Sequence, residues 1–261
     1  KPGFGVIGEA MGGLRYLTGQ PGEPSVRVGV SIGDSLSALY AVIGTLLALQ
    51  ERSRSGLGQQ IDVALYESVF AMMESLLPEY DAAGQVREPS GSALPGITPS
   101  NAYRTRNGDY VLIAGNGDSI FKRLMGVIGR ADLAEDPDLA HNDGRSRQAE
   151  RIDAAIEAWT LERDRDAILA ALDDARVPAG YPYTAADIAN DPHYLAREMI
   201  QTITRPDGKP LRVPGVLPRL SATPGRLGEG GPALGQHTDE VLDELGIDAE
   251  TRAKLRDAGI I

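Results

Sequence analysis

Cysteine is absent from this 261-residue chain, which excludes disulfides, thiolate metal sites and a cysteine nucleophile. The same absence accords with a reducing, cytoplasmic setting. Histidine is scarce. His141, His193 and His237 lie far apart, without the paired spacing of a zinc site, so no metal centre is expected. Basic charge is also in deficit: 26 Lys and Arg stand against 37 Asp and Glu, for a net charge of −11. That balance excludes the cationic surface a nucleic-acid partner needs, yet a small anionic ligand requires only a few local cations. No unbroken run of about 18 apolar residues occurs, so neither a transmembrane helix nor a membrane partner is expected. A signal-peptide pattern is missing as well. Neither a Gly-x-Ser-x-Gly elbow nor a nucleotide-binding Gly-x-x-x-x-Gly-Lys loop is found.

What is present is ample for a core, with 42% hydrophobic and 24% charged residues. The chain opens at Lys1-Pro2 rather than Met and runs almost at once into an apolar pattern, which reads as a start inside a larger polypeptide. Gly8 to Leu17 reads as a short helix in which Gly12-Gly13 permit close backbone approach, and Val26 to Ile32 as a strand or extended segment. Leu36, Leu39, Tyr40, Ile43, Leu46, Leu47 and Leu49 then recur at helical spacing. This helix is apolar around most of its circumference, which predicts burial on several sides. Cations near its end and Gly56 after it mark its C-terminus. A second helix is expected over Asp62 to Leu77.

Residues 83–100, with Gly84, Pro89, Gly91, Pro95, Gly96 and Pro99, read as a linker or long functional loop. Asn101 to Thr105 and Tyr110 to Ala114 flank an Asn-Gly turn and predict a hairpin. Helices capped at Asp118 or Ser119, and near 146–159 and 163–174, complete a small α+β unit over 101–190. The tail, 191–261, carries a second hairpin around Pro206-Asp207-Gly208. A Pro/Gly-rich stretch over 214–235 follows, and then two short helices with Thr238 and Asp248 as caps.

The candidate chemistry rests on carboxylates. Asp34 stands where the β-branched run Val28 to Ile32 stops at Gly33 and the long helix begins, near free N–H groups and the positive end of the helix dipole. Local capping alone accounts for an Asp there. An Asp so placed can also attack a reactive acyl group held in line with it, the rate then coming from positioning and from donors aimed at the oxyanion. The stretch 91–96 could supply such donors. Gly115-Asn116-Gly117-Asp118 suits an anion weakly and a tight turn better. His237 is open to an orienting role or a local one. These residues permit nucleophilic chemistry at Asp34 without selecting it.

The pattern as a whole resembles the family III CoA-transferases, the group that includes formyl-CoA transferase and the α-methylacyl-CoA racemases. The resemblance is carried by Val28-Gly29-Val30-Ser31-Ile32-Gly33-Asp34-Ser35 and by Arg54-Ser55-Gly56-Leu57-Gly58-Gln59-Gln60-Ile61-Asp62-Val63-Ala64-Leu65. It continues in Pro99 to Tyr103, Ile113 to Asn116, Val177-Pro178-Ala179-Gly180 and Leu234-Gly235-Gln236-His237-Thr238 through Leu242. It implies an α/β fold: the mostly helical remainder of a Rossmann-like large domain over 1–82 with the catalytic Asp, the small domain, and a C-terminal return. It also implies an interlocked homodimer, or pairing with a chain that supplies the Rossmann-like half and its contacts to the CoA nucleotide.

The implied activity is transfer of CoA between small carboxylic acids through an aspartyl acyl anhydride and an aspartyl-CoA thioester on Asp34. Coenzyme A thioester is the substrate, with no permanently bound cofactor. Phe4 and Gly33 are carried over as substrate-binding, as are Gly91 and Gly96 of an active-site loop. Two alternatives accompany this reading: an acyl-CoA racemase, and a non-catalytic subunit that pairs with a full-length partner. The racemase is disfavoured because the acid/base His, 30 residues before the Asp, is replaced here by Phe4. At the next position, Gly5 stands where many of the transferases have a carboxylate.

Overall fold

The computed structural model describes residues 3–228 and 230–261; Lys1-Pro2 at the chain start and Glu229 in the Pro/Gly-rich stretch lie outside them. The chain mixes helix with sheet and divides into two compact units, residues 1–182 and 183–261.

The first unit begins with helices only: α1 (Gly5–Met11), α2 (Leu14–Leu17), α3 (Ile32–Ser55), α4 (Leu65–Phe70) and α5 (Leu76–Ala83). The single helix expected over Gly8 to Leu17 is instead two, because Gly13 turns into the left-handed region at φ 93°. Val26 to Ile32 forms no strand. The helix expected over Asp62 to Leu77 is also two pieces. Glu74 lies at φ 52° between them, and a helix running through it would drive the Pro78 ring into the Glu74 carbonyl.

Helix α3 ends as its sequence predicts, on Gly56 at φ 78°, whose N–H reaches the Arg52 carbonyl at 2.8 Å. Its burial is different from the expectation. Only Gly33 is buried, and Leu39, Val42, Leu46 and Leu47 are 57–65% exposed. The helix packs on α1 and α4, and its remaining apolar face is largely exposed among the described residues. It is also long and apolar enough to cross a membrane by length and composition, although Ser37, Gly44 and Thr45 interrupt its apolar run.

The rest of this unit is built on a hairpin, β1 (Ser100–Arg104) and β2 (Tyr110–Ala114), paired from Ser100 opposite Ala114 to Arg104 opposite Tyr110. Gly108 at φ 86° makes the turn that Asn107-Gly108 predicts. A two-residue strand, β3 (Ala179–Gly180), adds antiparallel to β2 and makes it the centre of a three-stranded sheet. Helices α6 (Asp118–Val127), α7 (Ala131–Ala134), α8 (Asn142–Arg147), α9 (Ala149–Thr160) and α10 (Arg165–Asp174) enclose it. Val111, Ile113, Phe121, Leu124, Ile156 and Leu172 are fully buried between them.

Arg145 is buried in the same region, with every donor nitrogen taken. It donates to the carbonyls of Thr98, Leu139, Ala140 and Asn116 and to Asp118 Oδ1 at 2.8 Å, with its guanidinium 5.0 Å from the centre of the Phe121 ring. One side chain thereby ties the linker to the Gly115-Asn116-Gly117-Asp118 turn. That turn is occupied by an internal cation, and Asp118 is the first residue of α6 rather than its cap.

The second unit holds α11 (Ala185–Asn190), α12 (Pro192–Ala196), the hairpin β4 (Ile200–Thr204) with β5 (Pro210–Pro214), α13 (Thr238–Glu244) and α14 (Ala249–Asp257). Asp248 caps α14 by accepting from the Thr251 N–H at 2.8 Å. Thr238 does not cap α13; His237 takes the cap position and pairs locally with Glu240 at 3.0 Å.

Replacing Arg145 by Met is expected to lower unfolding stability by about 3–5 kcal/mol, because five acceptors lose a buried charged partner. Urea denaturation would measure it, and a loss under about 1 kcal/mol would contradict the role given to Arg145. The Arg145 guanidinium, and after it His141, hold the Asp118 carboxyl below the usual carboxylate range. A lowered carboxylate pKa stabilises the fold above the unfolded value of about 3.8, and that stability is lost as pH falls through the folded value. Asp118→Asn should therefore flatten the acid end of a stability-versus-pH curve, and an unchanged curve would refute the contribution.

Candidate active site

Asp34 is the third residue of α3, after Ile32 and Gly33. The capping alternative is not realised: Ser31 holds the cap position, and the Asp34 carboxylate has no hydrogen-bond or ion-pair partner among the described residues. Nor do the N–H groups of Gly33 and Asp34 find an acceptor among those residues. Asp34 is exposed. A carboxylate with free lone pairs thus stands at the positive end of a 24-residue helix.

Its position is set by the crossing of α1 on α3 and α4. Gly8 on α1 and Gly12, the residue that ends it one turn later, lie so close to α4 that a Cβ would come within 2.8 Å of Leu65 Cβ and 2.6 Å of Val69 Cβ. Gly5, one turn earlier, meets Asp34 instead. A Cβ there would stand 2.8 Å from Oδ2 and 3.1 Å from Oδ1. Phe4 opens α1 as its cap residue, with its side chain 81% exposed. Gly33 is buried against Glu9, Val69 and the Gly5 carbonyl. Gly5, Gly33 and Asp34 are thus neighbours in space at the adjoining first turns of two helices, and Phe4 precedes Gly5 at the cap of α1.

Gly91 and Gly96 sit on other elements. Gly91 donates its N–H to the Gly19 carbonyl at 3.0 Å and packs on the Gln20 side chain, so it has no free donor for an oxyanion. The Gly96 carbonyl accepts from Asn142 Nδ2 at 2.6 Å, while its own N–H has no partner among the described residues. Ser92 donates to Asn101 Oδ1 at 2.6 Å, and Asn101 in turn donates to Asp153. The loop is therefore fastened at both ends to the hairpin and α8.

Glu9 escaped the sequence reading. It is 1% exposed, with one oxygen fully buried and unpartnered among the described residues. Its only sequence signal is the four-residue spacing from Gly5, which puts both on one face of α1. An apolar cavity of about 380 Å³ lies further along α3, lined by Tyr40, Ile43, Leu47, Ile61, Val63 and Ala71. No group of three or more His, Asp or Glu that could hold a metal occurs among the described residues. His141 pairs with Asp118 at 3.0 Å.

Residues 1–238 match the model of CoA-transferase family III. Among curated relatives, the chain is 45% identical over its whole length to a succinyl-CoA–D-citramalate CoA-transferase of Chloroflexus aurantiacus, of which it covers 65%. It is 38% identical, again over its whole length, to the alpha subunit of a succinyl-CoA–L-malate CoA-transferase from the same organism, of which it covers 61%. The crystal structure of a CAIB/BAIF family protein from Brucella suis superposes on 94% of the chain with a TM-score of 0.77 and 33% identity, and the chain covers 63% of it. The chain thus spans less than two thirds of the length of each.

The helix crossing makes a steric prediction. Gly12→Ala should cost about 1–3 kcal/mol, since the Tyr66 carbonyl at 2.9 Å is backbone and cannot swing aside. Gly33→Ala meets only ordinary contacts at 3.5 Å and should be nearly neutral. Denaturation midpoints of the two variants decide it, and equal losses would contradict the packing described.

Proposed function

The chain belongs to CoA-transferase family III, and from that premise we propose that it carries the nucleophile, Asp34, of an enzyme that moves CoA between small carboxylic acids. The observation that carries this reading is the partner-free, exposed carboxylate at the first turn of α3.

The reaction proceeds as two exchanges on one carboxyl group. The Asp34 carboxylate attacks the thioester carbon of the donor, the C–S bond breaks, and CoA leaves as thiolate from a mixed anhydride. The thiolate then attacks the Asp34 acyl carbon and releases the donor acid as its carboxylate, leaving an aspartyl-CoA thioester. The acceptor carboxylate attacks that thioester and regenerates CoA thiolate beside a new anhydride. Attack of the thiolate on the acceptor's acyl carbon gives the acceptor's CoA ester and frees Asp34. Each step exchanges one anion for another, so no proton donor is needed. The positive end of α3 favours the anionic form of Asp34 on which the first step depends.

The donor assigned here is succinyl-CoA and the acceptor a small hydroxydicarboxylic acid, a choice supported by the D-citramalate and L-malate named for two relatives. Phe4 and Gly33, beside Asp34, are assigned to the substrate pocket. Gly91 and Gly96 belong to a loop that completes the site in an interlocked assembly of chains. The bare apolar face of α3 and the alpha-subunit designation of one relative support an assembly.

Asp34→Ala is expected to lower the rate of CoA transfer from succinyl-CoA to L-malate by at least about 10³-fold with the fold intact, as loss of a nucleophile does. Transfer assays combined with circular dichroism would measure this. An unchanged rate would remove Asp34 from the mechanism.

A further inference from the structure

Residues 91–96 owe their place to other elements. Gly91, Ser92, Leu94, Pro95 and Gly96 are exposed, so burial does not fix them. A Cβ at Gly96 would meet nothing within 4 Å, and only its φ of 76° calls for glycine. One amide side chain holds this end of the loop. Asn142 donates through Nδ2 to the Gly96 carbonyl at 2.6 Å and accepts through Oδ1 from the Thr98 N–H at 3.1 Å. A backbone N–H only donates and a carbonyl only accepts, so the amide has one working orientation here.

That amide stands on a firmly held helix. Asn142 opens α8, and three residues later Arg145 takes the Thr98 carbonyl together with four other acceptors. Gly144, between them, rests on the Asp138 carbonyl so closely that a Cβ would come within 1.6 Å of its oxygen. Both backbone groups of the buried Thr98 are therefore taken up by α8, and Gly96 lies two residues before it. The Gly96 N–H, by contrast, has no acceptor among the described residues. An open donor on a fixed backbone is what a developing oxyanion requires.

We infer that Asn142 is a positioning residue, which holds Gly96 so that its free N–H serves as a donor to the acyl oxygen of the substrate. The inference rests on reading residues 91–96 as the loop that completes the site around Asp34. The acyl oxygen gains negative charge as a carboxylate or thiolate adds to the acyl carbon and loses it as the leaving group departs. Gly96 lends a hydrogen bond through that interval, and no proton is transferred.

Asn142→Asp separates the two bonds of the amide. It keeps an acceptor for the Thr98 N–H and sets a carboxylate oxygen against the Gly96 carbonyl, which it repels. Asp suits the first turn of a helix, so the melting temperature should change by no more than about 3 °C. Hydrogen exchange at the Ile97 amide, which closes the turn from Leu94, should quicken about 3- to 10-fold, as loss of one supporting hydrogen bond allows. The kcat for transfer from succinyl-CoA to L-malate should fall about 10- to 100-fold, with KM for succinyl-CoA within about threefold. Asn142→Ala adds no charge and should lose as much kcat, with a lower melting temperature because the buried Thr98 N–H loses its acceptor.

An active wild type with Asn142→Asp at full kcat, or a fall in kcat with Ile97 exchange unchanged, would overturn the role of Asn142 alone. A wild type that transfers no CoA would instead overturn the reading of the site on which that role rests, while the exchange rates still measure the hold of Asn142 on the loop.

Discussion

The fold around Asp34 depends on a contact made without side chains. Three glycines on one face of α1 let that short helix lie directly on α4 and on the first turn of α3, at separations no Cβ would tolerate at two of them and with a carboxylate filling the third. Such contacts do not deform gradually. Packed interiors have little compressibility, so a methyl group in the wrong place shifts a whole element rather than a few atoms. The place of the Asp34 backbone beside α1 follows from that stiffness. A seven-residue helix with no capping side chain would fray by itself, and here the crossing holds it in place.

Much of the local structure was legible because it depends on local chemistry. Asn107-Gly108 and Asp207-Gly208 specify turns that only a positive φ completes, and both hairpins form where those residues stand. Gly56 ends α3 and Asp248 begins α14 for equally local reasons. Failures came where distant residues decide. The two-residue strand β3 is recruited by β2 from the far side of six helical segments and has no periodicity of its own. The break at Glu74 was readable in principle from Pro78, but the apolar spacing across it suggested one helix. Thr238 has the chemistry of a cap and yet lies one residue inside its helix.

The candidate site divides along the same line. Asp34 could be singled out from its place between an extended run and an apolar helix. The neighbourhood that gives it meaning could not, since Gly5 and Glu9 are ordinary residues until α1 is folded onto α3. The burial of α3 is the clearest misjudgement. Its circumference is apolar, but among the described residues Leu39, Val42, Leu46 and Leu47 stay mostly exposed. Exposed apolar surface of this extent is rare on a finished protein surface and marks an interaction face. The proposed assembly would supply such a cover.

The central claim is a covalent bond to one side chain, and trapping it is the most direct test. The protein would be incubated with succinyl-CoA, digested and mapped by mass spectrometry, with and without hydroxylamine. The account predicts an adduct on the peptide that carries Asp34, converted by hydroxylamine to a hydroxamate at that residue. Turnover of succinyl-CoA with Asp34 unmodified throughout, or with the label on another carboxylate, would contradict it.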